Sequence, residues 1–446
     1  MNYKSTIIII ALILIMFMSA IETSIISLAL PTIKEDLNVT SSISLVFAVY
    51  FIAIVIANPI VGELLSRFKI IYLTIAGLLL FIAGSLFSGL SETFTFLVAS
   101  RFIQGLGSGI LMALSQIVPK LAFPIPFRYK VMGMVGSVWG VASLLGPLLG
   151  GAILEIATWH WLFFVNIPIA IIAGILVLMT FHFEDEVLIN QRLDYKGMTM
   201  FYLLIAAILT AVMNKSHMTI NILAVVIAVA AGYVLLKIEK KEPLPFIPVN
   251  EFNRHTVIVF ITEFLFGIIL MGYNLYMPLY LQEQVGLSPL QSGLTIFPLS
   301  LAWISINFSL ARFEAGRTKK TLYLTAFTSL IICSVILLFG SEAPLLVAVS
   351  LLLAGASFGT VYTKNSVTVQ EESSPEHMKR MMSLYTLTKS FGNSIGSTVM
   401  GYIYALPLMI GGTIHNVMLT AVIISMILII IWSSLYSARE PVVQES

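Results

Sequence analysis

The chain has 446 residues, of which 58% are hydrophobic and 10% charged, against roughly 45–50% apolar and about 25% charged in a soluble domain. With a mean hydropathy of +0.99, that balance excludes a water-soluble globule. A net charge of +2 spread over many segments offers no basic tract for nucleic acid, and the single cysteine, Cys333, excludes a disulfide framework.

A helix that crosses hydrocarbon needs roughly 20 apolar residues. The first apolar run, Thr6 to Leu30, is too long for the core of a signal peptide and has no small-residue cleavage site, so it reads as a retained span at 6–30. Further spans are expected at 43–61, 71–90, 94–118, 131–156, 161–181, 197–213, 219–236, 256–281, 291–311, 321–340, 345–369, 381–405 and 414–437. Fourteen spans put both termini on one side of the membrane.

The basic residues support that count. With a cytoplasmic N-terminus only Lys34 and Lys215 fall in outer loops, and Arg101, Lys364 and Lys389 lie within spans. All the others of the 24 Lys and Arg face the cytoplasm, as the positive-inside rule requires. A miscounted span would invert every later loop.

Two long polar stretches, His182 to Lys196 and Lys237 to Arg254, bracket spans seven and eight, and the second carries Pro243, Pro245 and Pro248. The expected organisation is therefore a six-helix bundle over 1–181, cytoplasmic loops with an extra helical hairpin over 182–255, a second six-helix bundle over 256–437, and a cytoplasmic tail over 438–446. An internal repeat supports the split. Gly140 to Gly151 of span five resembles Ser390 to Gly401 of span thirteen, and Gly105 and Gly109 of span four match Gly355 and Gly359 of span twelve. Pro31 follows span one as Pro278 follows the same point of span nine. Two halves related in this way are a transporter signature, with the site at their interface.

Ionisable groups inside lipid cost about 2.5–3.5 kcal/mol each on insertion scales, so each needs a partner or a job. Glu22 and Arg101 sit at a common depth, roughly 10–12 Å below the outer face, and can meet across the bundle. The repeat places Ile269 and Leu351 at the equivalent positions, so the scaffold does not require charges there. A dry carboxyl keeps its proton and one beside a cation gives it up. A change of surroundings at Glu22 would then load and release a proton, and a cationic substrate would compete for the same carboxylate. A local ion pair remains the alternative reading of the two.

Glu263 and Lys389 lie at a common depth on the cytoplasmic side, placed equally well for a structural ion pair or a substrate contact. Lys364 is expected to snorkel to the inner face. Glu155 is a second acidic candidate, most simply an exposed carboxylate beside the interfacial Trp159 and Trp161. Tyr273, Tyr276 and Tyr280 are spaced to line a cavity through cation–π contacts, although packing suits them as well. Asn58, Gln104, Asn274 and Asn307 are further cavity candidates. The small residues Gly136, Gly140, Gly146, Gly150 and Gly151, with Pro147, make span five either a tightly packed helix or a hinge between the halves. There is no phosphate-binding GxxxxGK[ST] loop, metal-ligand cluster or nucleophile motif, so an enzyme is not expected.

These motifs resemble the fourteen-helix drug/proton antiporters of the major facilitator superfamily. Arg101 to Gly109 is similar to that family's span-four motif, Gly136 to Gly151 to its span-five antiporter motif, and Ile21 to Pro31 to its first-span motif, with Glu22 where Asp is usual. The stretches Trp159 to Pro168 and Gly286 to Gly293 resemble further family segments. Two departures stand out. Ser66 replaces the acid of the gating motif Gly62 to Lys69, and His160 replaces an arginine between two tryptophans.

The resemblance implies an all-α major facilitator fold of two six-helix bundles plus a central two-helix insertion. It implies export of small lipophilic cationic or zwitterionic drugs and dyes across a bacterial cell membrane, with the proton as coupling ion, no other cofactor, and Glu22 and Arg101 as the coupling residues. A monomer is expected. An exporter of one defined solute (a tetracycline–metal chelate, a fatty acid or a siderophore) is the main alternative, and a non-transporting membrane sensor a more distant one.

Overall fold

A computed structural model describes residues 3–39, 43, 45–65, 67–124, 127–183, 194–213, 218–242, 245, 247–314, 316–374, 377–407 and 412–435. The described chain is helical throughout. In order come α1 (Tyr3–Asp36), α2 (Leu45–Leu64), α3 (Ile70–Gly89), α4 (Phe94–Ala122), α5 (Phe127–Ile156), α6 (Trp161–Phe164), α7 (Asn166–Thr180), α8 (Tyr195–Met213), α9 (Met218–Glu239) and α10 (Arg254–Met271). They are followed by α11 (Met277–Glu283), α12 (Pro289–Glu314), α13 (Lys319–Gly340), α14 (Pro344–Glu372), α15 (Met378–Ala405) and α16 (Ile414–Leu435).

Two of the expected spans are interrupted. The sixth breaks after the short α6, and the ninth is joined from α10 and α11 by a π-helical turn, Gly272–Tyr276. Pro278 stands in the first turn of α11. Its ring cannot donate the backbone bond a regular helix needs one turn earlier, and a widened turn accommodates the lost donor. Side chains cap three of the described helix starts: Thr93 on α4, Thr318 on α13, and Asn253, whose carboxamide accepts from two backbone N–H groups of α10.

Joined in this way, the described helices make fourteen rods. Ten are long and apolar enough to cross a membrane by length and composition. The others are α5, α12, α15 and α8, whose apolar stretch is short. Helices α1 to α7 pack on one another and α10 to α16 do the same, and the two bundles meet chiefly where α5 lies against α12 and α15 against α2.

The bundles repeat each other's contacts: α3 on α4 as α13 on α14, α2 on α4 as α12 on α14, α1 on α5 as α10 on α15. Glycines set these approaches. A Cβ at Gly105 would strike the carbonyl of Tyr50 and Ala53, and one at Gly355 the carbonyl of Leu299 and Ala302. The α8–α9 hairpin stands outside both bundles. Phe201 and Ile205 of α8 pack with Val55 of α2 and Leu387 of α15, and the Tyr202 hydroxyl donates to the Ile56 carbonyl at 2.9 Å. Most of α9 is left exposed.

The N- and C-terminal tails and most of the loop after α7 lie outside the described residues. So do Ser66 of the gating motif and Lys215 and Pro243.

Candidate functional sites

Glu22 and Arg101 meet. The guanidinium of Arg101 on α4 donates through Nη1 to Glu22 Oε1 on α1, and neither side chain is exposed. The other carboxylate oxygen, Oε2, accepts from Asn166 Nδ2 at the start of α7. Arg101 Nη1 also donates to Gln104 Oε1 (2.6 Å), and Nε donates to the Val46 carbonyl (3.3 Å). Gln104 in turn donates to Ser85 Oγ (2.9 Å). The guanidinium carbon lies over the Tyr50 ring, 4.2 Å from its centroid, and over the Phe163 ring at 5.7 Å. Both oxygens of Glu22 are thus taken. Arg101 Nη2 and Asn166 Oδ1 have no partner among the described residues.

This arrangement lies inside the N-terminal bundle, drawing on α1, α2, α3, α4 and α7. Gln104 belongs to its scaffold and has no exposure. Asn166, Ser85 and Tyr50 were not singled out by sequence reasoning. Asn166 had a usable signal, being a lone amide in an apolar run. Tyr50 had none, since aromatic residues abound in such helices.

A second polar centre lies in the C-terminal bundle. Glu263 on α10 is fully buried, and its Oε2 accepts from Asn365 Nδ2 on α14 at 2.7 Å. Asn365 Oδ1 accepts from the Tyr323 hydroxyl (2.7 Å), and Tyr323 stacks on Trp432 at 3.7 Å. Trp432 Nε1 closes the ring of contacts by donating to Thr262 (2.9 Å). Glu263 Oε1 accepts no hydrogen bond among the described residues. Lys389 on α15 is near enough for the two charges to act on each other, but no ion-pair contact forms between them. Its ammonium instead lies 4.5 Å from the ring of Tyr362 on α14 and 4.5 Å from that of Trp139 on α5. Trp139 belongs to the other bundle, so this centre reaches across the interface.

The remaining candidates divide. Lys364 is buried and pairs with Glu314 on α12, so an acidic partner meets its charge where snorkelling alone was expected. Glu155 is exposed near the C-terminal end of α5. Tyr273 is buried against α13, its hydroxyl 2.8 Å from Ser334, and Tyr280 bonds with Ser341. These two pack within their own bundle. Tyr276 donates to the Ser397 carbonyl (2.6 Å) and lines a cavity of about 260 Å³ between the bundles, with Leu30, Lys34, Glu283 and Tyr404. Asn274 is half-buried within the π turn. Asn307 accepts from Thr363 (2.8 Å), whereas the amide of Asn58 is buried with neither of its polar atoms partnered among the described residues.

Along α5, Gly146 lies against Ser24 of α1, Gly150 against Ile25 and Leu28, and Gly151 against Leu290 of α12. Only Gly151 of these touches the other bundle. Gly136 faces open space, and the side chains of Gly140 and Pro147 lie outside those described. His160 stacks on Trp159 at 3.7 Å and reaches the Ser91 carbonyl, while Trp159 Nε1 donates to Asp36 (2.8 Å). The loop is thereby tied to α1 and α3.

The sequence model of the Major Facilitator Superfamily matches residues 12–397. The chain belongs to that superfamily. It is 61% identical over 434 residues, 97% of each chain, to the multidrug efflux pump SdrM of Staphylococcus aureus (strain N315). It is 26% identical over 402 residues, 88% of this chain and 78% of the other, to multidrug resistance protein 3 of Bacillus subtilis (strain 168). Among solved structures, a peptide transporter POT in complex with sulfate aligns with a TM-score of 0.70 at 14% identity, covering 96% of this chain and 93% of that one. The human organic anion transporter MFSD10 aligns at 0.68 and 13% identity, covering 97% and 100%. These two carry the fold alone. The protein is a multi-pass helical membrane protein with the major facilitator fold.

Proposed function

We propose that this protein is a multidrug efflux antiporter. It exports lipophilic cationic or zwitterionic drugs and dyes across a bacterial cell membrane in exchange for inward-moving protons, by alternating access of its two bundles. The observation that carries the reading is the 61% identity to a multidrug efflux pump across 97% of both chains. Packing and chemistry are consistent with it. Two bundles repeating each other's contacts, joined mainly through α5–α12 and α2–α15, suit a rocking motion about a central path.

Glu22 is the proposed proton carrier and Arg101 the group that sets its charge state. In the arrangement described, Arg101 and Asn166 both stabilise the ionised carboxylate. If rocking draws α1 from α4 or α7, the carboxylate loses those partners and takes a proton, and it releases that proton when the contact re-forms. In this reading fourteen spans cross the membrane, both termini are cytoplasmic, and the monomer is the working unit.

Proteoliposomes loaded with a pH-sensitive dye test this. Adding drugs from a structurally varied panel should drive proton movement with the native protein and none with Glu22→Gln. Native protein that moves no protons with any drug overturns the antiport reading. Flux with a single member of the panel favours an exporter of one solute.

A further inference from the structure

The Glu263 centre has a construction that the coupling pair does not explain. One carboxylate oxygen is fixed by Asn365 and the other accepts no well-formed hydrogen bond among the described residues, the nearby Tyr385 hydroxyl donating to the Tyr362 carbonyl at 3.1 Å. An ionised group buried in that condition is costly unless a cation stands close by. Lys389 supplies one, but not by contact. Its ammonium is held by two ring faces, one from each bundle, at 4.5 Å to either centroid, within the range of a cation–π interaction. Behind Tyr362 the face is extended by Trp303, stacked at 5.4 Å with the rings nearly parallel. One turn before Trp139, Gly136 leaves open space. Lys389 is itself half-buried, and its four-carbon stem lets the charge move without moving its helix.

We propose that Glu263, Trp139 and Tyr362 form a binding site for the positive group of a lipophilic organic cation, with Lys389 as the tethered cation that the incoming one displaces. The proposal rests on the export reading and deepens it by naming the ligand class and the residues. An incoming ammonium or phosphonium replaces one positive charge by another between the rings and beside Glu263 Oε1. The buried carboxylate therefore never loses its counter-charge, and an uncharged compound of the same shape cannot perform the exchange. Because Trp139 belongs to the N-terminal bundle and Glu263 to the C-terminal one, the occupant bridges the two bodies that rock. Flat or aryl-substituted cations fit best, since the cage presents ring faces to the charge.

The test uses the full-length protein in detergent and two probes of one shape and opposite charge, tetraphenylphosphonium and tetraphenylborate. Lys389→Met removes the tethered competitor and should tighten phosphonium binding about tenfold while weakening borate, and Glu263→Gln should weaken phosphonium about tenfold without weakening borate. Trp139→Leu should weaken phosphonium several-fold. Opposite movement of the two probes separates a site effect from loss of folded protein, which lowers both. Lys389→Met that weakens or does not change phosphonium binding overturns the proposal. Wild-type binding of phosphonium that all three substitutions leave unchanged overturns it too, and leaves the export reading standing. Wild-type protein that binds neither probe nor any drug of the panel overturns both.

Discussion

The two bundles carry one buried carboxylate–cation centre each, and they are built on opposite principles. In the N-terminal bundle Glu22 has both oxygens taken and Arg101 makes three hydrogen bonds, all inside one body. In the C-terminal bundle Glu263 has one oxygen taken, and its cation rests on ring faces drawn from both bodies. The first arrangement holds its charges until helices within a bundle shift. The second can exchange its cation while its scaffold stays in place. Arginine suits the former, because its planar fork is spent on directional bonds, and lysine the latter, as a point charge on a flexible stem. The repeat underlines the difference, since the positions matching Glu22 and Arg101 are the buried, apolar Ile269 and Leu351.

The largest effect should come from unpairing the closed centre. Arg101→Leu leaves an ionised Glu22 buried with only Asn166 beside it, a defect that costs about 3–5 kcal/mol. Denaturation of the detergent-solubilised protein should show that loss, and adding Glu22→Leu should restore most of it. Lys389→Met should cost less than Arg101→Leu, because no hydrogen bond and no ion-pair contact is lost and Glu263 loses only a counter-charge that stands off it. Equal losses for Arg101→Leu and Lys389→Met would erase the contrast between closed and open centres.

A smaller effect tests the scaffold of the closed centre. Gly84 of α3 lies directly on the backbone of Gln104, so a Cβ there meets main chain that cannot move aside. Gln104 is also the residue that links Arg101 to Ser85. Gly84→Ala should therefore cost about 1–3 kcal/mol through overpacking and lower drug-driven proton flux together with stability. Gly136→Ala, on the open side of α5, should leave stability within about 0.5 kcal/mol. A harmless Gly84→Ala would mean that α3 and α4 are not held at this separation.

The sequence makes some of this contrast readable and hides the rest for physical reasons. Apolar length fixes the existence of the helices, and basic asymmetry orders them. A common depth for Glu22 and Arg101 is enough to pair them, because two buried opposite charges in one bundle have few other partners. Depth also brings Glu263 and Lys389 together, but it cannot show that the ammonium turns to Tyr362 and Trp139, since aromatic residues fill every span. The interruption at Gly272–Tyr276 can be traced to Pro278, and the break after α6 to Pro168, whose missing N–H would have met the carbonyl of Phe164 one turn earlier. Tyr273, Tyr276 and Tyr280 share a spacing, yet the π turn separates their surroundings. Tyr273 goes to α13, Tyr276 to the cavity between the bundles and Tyr280 to Ser341.

The smallest expected effect uses the repeat as its own control. Asn58 and Asn307 occupy matching places on α2 and α12, one turn beyond the residues that receive Gly105 and Gly355. Asn307 accepts from Thr363 of α14 at 2.8 Å, and the residue of α4 matching Thr363 is Ala113, which cannot donate. The amide of Asn58 is consequently buried with no partner among the described residues, at a cost of about 1–3 kcal/mol for an unmet polar group. Asn58→Leu, which keeps the branched shape, should therefore raise stability by roughly 1 kcal/mol, while Asn307→Leu should lower it by about as much by stranding the Thr363 hydroxyl. If both substitutions destabilise, Asn58 does have a partner during folding or transport, and a drop in drug flux with Asn58→Leu would identify that partner as the substrate or its water.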